Sequence, residues 1–413
     1  MSAHERPEAT AVPALTPEGV RLLDFARAAR VERGFAWLDD RGRPTPGGGR
    51  PTWVAARMTY VWSLASQLGV AGASALAEHG VRALATDHRD PVHGGWYDAL
   101  DARGDEPTDP GKRAYPHAFV ALAAASAAAA GVPGARELLA EAASVLEAHF
   151  LDADGRVVEA YDRAFTTQES YRGANASMHM VEALLVVGDV LDEPRWHQTA
   201  LGIAEHLIHG VARHHDFLLP EHYSPDWEPL PDYHRERPDD PFRPYGCTPG
   251  HLLEWSRLLL QLEAALPQAP AWLPDDARHL FETAIRVGWE ADGAPGFVYT
   301  VDWDGTPVVR SRMHWVVAEA IGAAGALHLR TGERVFRHWS DTWWAYAREH
   351  LLDLEHGSWH HELDAANRPA ATVWTGKPDV YHAFQATVLP HLPLAPSAPE
   401  ALRAGTSRPV RWL

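Results

Sequence analysis

The sequence predicts an all-α fold, an (α/α)6 toroid whose six inner helices line a central cavity and whose six outer helices surround them. Apolar residues recur at i, i+3, i+4 and i+7 spacing in twelve segments, and proline or glycine residues separate these segments. Short stretches of aromatic and β-branched residues followed by an Asp-rich turn recur between the helix pairs. A helix–helix–hairpin unit repeated six times around a ring gives this toroid.

The predicted helices share the helical spacing of apolar residues and cover residues 18–33, 52–69, 72–87, 113–131, 135–149, 173–191, 195–210, 248–266, 274–288, 312–330, 333–350 and 379–390. The ring begins with 52–69, and the inner helices are then those that begin near 52, 113, 173, 248, 312 and 379. The first segment, 18–33, closes the ring as the outer partner of 379–390.

The connections between the pairs are predicted to be short hairpins, at 93–107, 152–162, 296–308 and 356–369. One connection differs, because the Pro-rich segment 220–246 is too long for an ordinary turn. Long loops in compact domains are usually functional or disordered. Its Tyr, Trp and Arg content favours a lid over the cavity.

The composition limits the partners. A single domain is expected over 1–413, with 1–16 and 395–413 as tails. The formal net charge of −18 argues against nucleic acid and against anionic membrane as partners. Cys247 is the one cysteine, so no intramolecular disulfide forms, which fits a cytoplasmic location. The N-terminal stretch carries charges and no apolar run, so it is not expected to be a signal peptide.

Polar or aromatic side chains occupy the first turns of all six inner helices. In chain order they are Arg57, Tyr115, Asn175, His179, His251, Glu254, Trp315, Glu319 and His382. Residues three or four apart share a helix face, so Asn175 with His179, His251 with Glu254, and Trp315 with Glu319 form pairs. In a toroid all these groups converge on one end of one cavity, which is the usual form of an active site.

Motifs for metals and nucleotides are missing from the sequence. His251 and Glu254 have a spacing that can ligate a divalent ion, but neither HExxH nor HxxEH occurs, and no acidic cluster accompanies the histidines along the chain. GxGxxG and GxxxxGK[ST] are also absent. The sequence therefore predicts neither a metal nor another cofactor.

Two segments at the start of inner helices resemble the N-acylglucosamine 2-epimerase superfamily. They are CTPGHLLEWSRLLL, at 247–260, and GKPDVYHAFQA, at 376–386. The resemblance extends from about residue 20 to 390, and the second segment is most similar to the aldose–ketose isomerase branch, which includes mannose and sulfoquinovose isomerases. It implies an (α/α)6 barrel with His251 and His382 as the catalytic residues. The substrate contacts it implies are Arg57, Tyr115, Asn175, His179, Arg243, Glu254, Trp315, Glu319, Trp374 and Lys377.

The resemblance implies a chemistry in which His382 transfers a proton between C2 and C1 of an unphosphorylated aldose. His251, oriented by Glu254, serves ring opening, while Arg57 and His179 stabilise charge on oxygen. D-Mannose and D-fructose are the expected pair, with D-lyxose as another substrate. Sulfoquinovose isomerisation and sugar 2-epimerisation, of the N-acylglucosamine or cellobiose type, are the alternatives. A monomer or homodimer is expected.

Two alternatives come from other classes. A glycoside hydrolase on the same toroid would need two facing carboxylates, whereas the best-placed pair here is histidine. A sugar-binding scaffold would need no base at all, so both histidines would be dispensable.

Overall fold

The computed structural model describes residues 15–405, and its secondary structure is mainly helical. Its helices are α1 (Pro17–Ala26), α2 (Thr52–Gln67), α3 (Ala73–Ala85), α4 (Ala114–Ala129), α5 (Ala135–Val145), α6 (Ala174–Leu191), α7 (Pro194–Ala204), α8 (Pro249–Ala265), α9 (Trp272–Gly288), α10 (His314–Thr331), α11 (Arg334–Tyr346), α12 (Tyr381–Val388) and α13 (Ala398–Arg403). Wider π-helical turns extend α5, α7 and α11, as Leu146–Phe150, Glu205–Val211 and Ala347–Leu351.

The even-numbered helices α2 to α12 form the inner ring. Each packs against the next along the chain, and α12 returns to α2. Helices α3, α5, α7, α9 and α11 each pack outside the inner helix that precedes them, and α1 packs outside α12. The predicted (α/α)6 toroid is therefore confirmed, including its closure by the first helix.

Burial distinguishes the two rings. In the alanine-rich inner helix α4, all residues except Tyr115 are buried, because small side chains let neighbouring helices approach from every side. The outer helix α9 buries one face and exposes the other. Helix α6 is long and apolar enough to cross a membrane by composition alone, but 78% of it is buried inside the ring.

Two- and three-residue strands brace the start of the inner helices. They are β1 (Arg50–Pro51), β2 (Ala99–Leu100), β3 (Pro107–Asp109), β4 (Lys112–Arg113), β5 (Ala160–Tyr161), β6 (Arg172–Gly173), β7 (His222–Tyr223), β8 (Arg312–Met313) and β9 (Glu362–Leu363). The strands β1, β4, β6 and β8 immediately precede an inner helix, and each pairs antiparallel with a strand of the following unit. Before α8, Cys247 bridges to Val301 in the same way.

The ring closes with a similar contact. The backbone N–H of Lys377, just ahead of α12, donates to the carbonyl of Leu38 in the loop after α1. The recurrent segments of the sequence therefore hold each unit to its neighbour, in addition to turning the chain. This fixes the helix ends around the mouth of the central cavity.

The chain ends differ from the sequence prediction. Residues 1–14 and 406–413 lie outside the described part of the structure, but 395–405 do not behave as a tail. Helix α13 packs across α2, α4 and α6 at their C-terminal ends, with Ala401 and Leu402 buried. The N–H of Ser397 donates to Asp189 at 2.6 Å, so this segment closes the far end of the ring. Helix α1 is also shorter than predicted, since a 3₁₀ turn follows Ala26.

Candidate active site

A cavity opens at the N-terminal ends of the inner helices, with about 660 Å³ of empty space that includes its mouth to solvent, and residues from all six helices line it. Nine of the predicted site residues contribute: Arg57, Tyr115, Asn175, His179, His251, Glu254, Trp315, Trp374 and His382. The helix starts face one point because the strands hold them in register. Most of the predicted site residues therefore converge on one cavity, as expected from their positions in the first turns of the inner helices.

His382, in the first turn of α12, is held by a carboxylate on α10. Its Nδ1 lies 2.8 Å from Oε1 of Glu319, and both side chains are buried. Burial, with the nearby Arg57 cation, lowers the pKa of His382 well below its usual range, so the ring is neutral at pH 7. With Nδ1 donating to Glu319, Nε2 is the nitrogen left to accept a proton.

His251, in the first turn of α8, has a different orienting partner from the one expected. Its Nδ1 lies 2.8 Å from Oε1 of Glu221, which precedes β7, rather than from Glu254. A residue one turn along a helix faces further down the cavity, so Glu254 reaches other groups instead. The prediction that Glu254 orients His251 is corrected accordingly.

Trp315 lies between the two histidines. Its ring is 5.2 Å from the ring of His251 and 5.8 Å from that of His382. Gly250 makes this possible, because a Cβ at that position would lie only 2.4 Å from the Trp315 ring. The indole therefore separates two proton-carrying groups and offers a flat apolar surface to a sugar.

A buried carboxylate cluster, Glu182, Glu254 and Glu319, lies beneath the histidines around Arg257. Two Arg257 N–H groups donate to Oε2 of Glu319 at 3.0 and 3.1 Å, and Nη2 lies 3.4 Å from Glu254. One arginine cannot neutralise three carboxylates. Burial and the adjacent Glu319 raise the pKa of Glu254 well above its usual range, which favours the protonated form of this carboxyl group.

The same cluster brings together potential metal ligands that are scattered along the sequence. Ligand atoms of His179, Glu182 and Glu254 lie within 4.8 Å of one another, and so do those of Glu254, Glu319 and His382. Arg257 already supplies a cation among these carboxylates, which opposes binding of a second one. The sequence argument against a metal missed this group, and a metal-free site stays a prediction.

Arg57 and His179 lie on the cavity wall facing the histidine pair. Arg57 donates to the hydroxyl of Tyr115 at 2.8 Å and pairs with Asp379 at 3.4 Å. Burial lowers the pKa of His179 to about 4, although Glu182 lies 3.3 Å from its Nδ1. The N–H groups of Arg57 can donate hydrogen bonds to a developing oxyanion, whereas neutral His179, with its Nδ1–H towards Glu182, leaves Nε2 to accept from a sugar hydroxyl.

Three predicted substrate contacts do not line this cavity. Glu319 lies behind His382, and Lys377 is buried against Asp353 with Nζ at 2.6 Å. Arg243 makes a two-pronged bond to Glu169, at 2.8 and 2.9 Å. A carboxylate of the protein pairs with the cation of Lys377 and with that of Arg243, whereas Arg257 and His382 bind the carboxylate of Glu319. The segment 220–246 does overhang the cavity, through Pro241, Phe242 and Pro244.

Sequence reasoning missed several groups that build the site, namely Trp53, Glu182, Glu221, Phe242, Arg257, Tyr299, His314, His361 and Asp379. Glu182 follows His179 by three residues, so the helix-face rule applied to the other pairs would have found it. Glu221 and Phe242 lie in the long segment, whose path has no periodic signal.

Known proteins resemble this chain in sequence and in fold. The sequence profile described as N-acylglucosamine 2-epimerase (GlcNAc 2-epimerase) matches residues 34–386. A protein named D-mannose isomerase from Thermobifida fusca is 54% identical over 391 residues, which cover 94% of this chain and 96% of that one. Another of that name, from Pseudomonas cannabina pv. alisalensis, is 49% identical over 394 residues and 94% of each chain.

A solved structure described as a crystal structure of D-mannose isomerase superposes with a TM-score of 0.84 at 28% identity, over 90% of this chain and 96% of that one. The identities of 54% and 49% over nearly the full length confirm the predicted enzyme class, an isomerase acting on sugars. The chain belongs to the N-acylglucosamine 2-epimerase family.

Proposed function

We propose that the protein interconverts D-mannose and D-fructose, with D-lyxose as a further substrate. The observation that carries the proposal is the pair of histidines, each bonded through Nδ1 to a carboxylate and both facing one cavity. Such pairing leaves each Nε2 to exchange protons with a substrate. The relatives named D-mannose isomerase support the choice of sugar.

Proton transfer is assigned to His382. In the open-chain aldose, its neutral Nε2 removes the proton from C2. The electron pair of that bond forms the C1–C2 double bond, and O1 takes up the negative charge of a cis-enediolate. The imidazolium then returns the proton to C1, while the proton of O2 is transferred through His251 to O1, which gives the ketose. Histidine suits this shuttle because it accepts and returns a proton at similar cost.

His251 transfers protons to and from the oxygen atoms of the sugar. It moves protons at the ring oxygen and O1 when the sugar opens, and at O1 and O2 during the transfer, with Glu221 fixing its orientation. Arg57 donates to the enediolate oxygens, and neutral His179, whose Nδ1 faces Glu182, accepts from a sugar hydroxyl through Nε2. Oε2 of Glu254 has no hydrogen-bond partner in the described structure, and in its protonated form, which the raised pKa favours, Glu254 provides one more donor at the cavity floor.

The charge balance of the cavity favours a neutral sugar over sulfoquinovose. A sulfonate needs an available cation, but Arg57 is paired with Asp379, and Arg243 is bound to Glu169 outside the cavity. Among the described residues that line the cavity, Arg57 is the one arginine or lysine. A 2-epimerase would use the same histidines and return the proton to the opposite face of C2, so the product decides between the two reactions.

The test is a panel of free sugars: D-mannose, D-lyxose, N-acetylmannosamine, cellobiose and sulfoquinovose. We expect D-fructose from D-mannose, and His382→Asn serves as the control for a contaminating isomerase. In D₂O, the fructose should carry less than one full deuterium at C1, because one base passes part of the original proton along one face. Formation of glucose without fructose would replace the proposal by 2-epimerisation, and turnover of sulfoquinovose alone would replace the substrate.

A further inference from the structure

A second, larger cavity lies directly outside the active-site cavity. This outer cavity contains about 1400 Å³ of empty space, part of which is open to solvent. The two cavities share the side chains that stand between them, namely Trp53, Tyr115, Asn175, Phe242 and Trp374. Four of these belong to the ring or to the loop before α12, whereas Phe242 comes from the long segment 220–246 laid over the mouth.

Phe242 differs from an ordinary core aromatic. Its side chain is 39% exposed, so the fold gains little from burying it. Its ring packs edge-on against Trp53 at 6.1 Å, Tyr115 at 5.7 Å and Trp374 at 5.3 Å. These partners all line the active-site cavity. Phe242 therefore completes a wall of the site and contributes little to the core.

The backbone around Phe242 is fixed. The N–H groups of Phe242 and Arg243 both donate to Oδ1 of Asp240, at 3.1 and 2.9 Å. The two-pronged bond from Arg243 to Glu169 anchors the same turn to the ring, and the guanidinium lies 4.0 Å above the Tyr171 ring. Bidentate pairs of this kind add geometric specificity. The sequence-predicted substrate contact Arg243 thus acts as the anchor of this wall.

We propose that Phe242 is a specificity-determining residue that restricts the enzyme to free monosaccharides by closing the active-site cavity off from the outer cavity. The inference rests on the proposed function. With C1 and C2 at His382 and His251 in the depth of the cavity, the far end of the sugar points towards the mouth, where Phe242 stands. A second sugar ring on that end meets the Phe242 side chain, and such a clash discriminates against the larger substrate.

The outer cavity has the walls that a second sugar ring would contact. The ring of Trp37 stacks with that of Trp374, with 6.3 Å between the ring centres. Tyr171 and Tyr233 also line the outer cavity. Aromatic faces suit the C–H faces of sugars. The chemical class admitted on removal of Phe242 is therefore a reducing disaccharide, with its reducing mannose in the inner cavity and its second ring in the outer one.

The experiment compares D-mannose with β-1,4-linked mannobiose on the wild type, Phe242→Leu and Phe242→Ala. The ratio of kcat/KM for mannobiose to that for mannose should rise by at least about ten-fold in Phe242→Ala, and less in Phe242→Leu. The matched large-to-small control is Leu354→Ala, at a position that is 79% exposed and lines neither of the two cavities. It should leave the ratio unchanged. An unchanged ratio in Phe242→Ala, together with unchanged binding of mannobiose, overturns the proposal.

Binding separates this inference from the proposed function. Quenching of tryptophan fluorescence, to which Trp53, Trp315 and Trp374 contribute from the cavity wall, gives the affinity for each sugar without turnover. Tighter mannobiose binding by Phe242→Ala supports the size restriction even if no variant makes fructose, an outcome that sinks the mannose proposal alone. Arg243→Ala should loosen the same wall and raise the ratio by less than Phe242→Ala does. If Phe242→Ala gains neither binding nor turnover of mannobiose, the inference is wrong.

Discussion

The two histidine–carboxylate pairs of the site are alike at close range and different in how they are supported. Each has 2.8 Å between Nδ1 and a glutamate oxygen. His382 and Glu319 both stand on inner helices, and Arg257 clamps Glu319 from behind. Glu221, the partner of His251, stands on the chain just before β7, at the beginning of the long segment that covers the cavity.

This difference suggests a division between a fixed and an adjustable proton carrier. The base that works on carbon must keep its geometry through the transfer, and helix packing with a buried ion pair holds it. The group that works on oxygen is tied to segment 220–246, which also carries Phe242. A substitution that displaces that segment would therefore disturb His251 more than His382.

The largest expected effect comes from removing either histidine. His382→Asn keeps the size and polarity of the side chain but removes the base, so kcat on D-mannose should fall by about 10²–10⁴-fold. His251→Asn should fall by a similar factor, and the double variant should be little worse than either single one, because residues that act as a unit are not additive. Circular dichroism checks that the helices remain. Near wild-type turnover in both single variants would refute the assignment.

A smaller loss of kcat is expected on replacing either of the two glutamates that orient the histidines. Glu319→Gln and Glu221→Gln should each lower kcat by about ten- to a hundred-fold, since a hydrogen bond to a charged group contributes ~1.5–3 kcal/mol. Glu319→Gln should also lower the thermal midpoint more, because it takes from buried Arg257 its nearest anion. Steady-state kinetics and calorimetry on the two variants check this. Equal midpoints would mean that the helix-borne pair is no better supported than the loop-borne one.

The sequence predicted the ring and most of the cavity because both depend on periodic patterns. The helical spacing of apolar residues located twelve helices. The search for polar residues in the first turns of inner helices, called the first-turn rule below, located His251 and His382 at the same end of the cavity. The rule failed where a side chain is held by a group remote in sequence, as for Glu221 on His251 or Glu169 on Arg243. Such partners depend on the path of an irregular segment, which local propensities do not specify.

The smallest expected effect is on metal removal, and it tests the fixed pair in particular. The ligand groups around Glu254 lie under His382 and His179, whereas His251 and Glu221 stand apart from them. Arg257 already supplies a positive charge there, with its N–H groups 3.0 to 3.4 Å from two of the three glutamates. A divalent ion entering the cluster would be repelled by that charge at close range.

We therefore expect exhaustive dialysis against EDTA to leave kcat on D-mannose unchanged, with metal content measured by mass spectrometry before and after. Added Mg²⁺, Mn²⁺ or Zn²⁺ should not raise activity above that of the untreated enzyme. Arg257→Met provides the sharper arm, because removing the cation leaves the carboxylates free to bind a metal, and this variant should take up a divalent ion that the wild type does not retain. Loss of wild-type activity on chelation, restored by one ion, would make the cluster a metal site and His382 a ligand instead of the base.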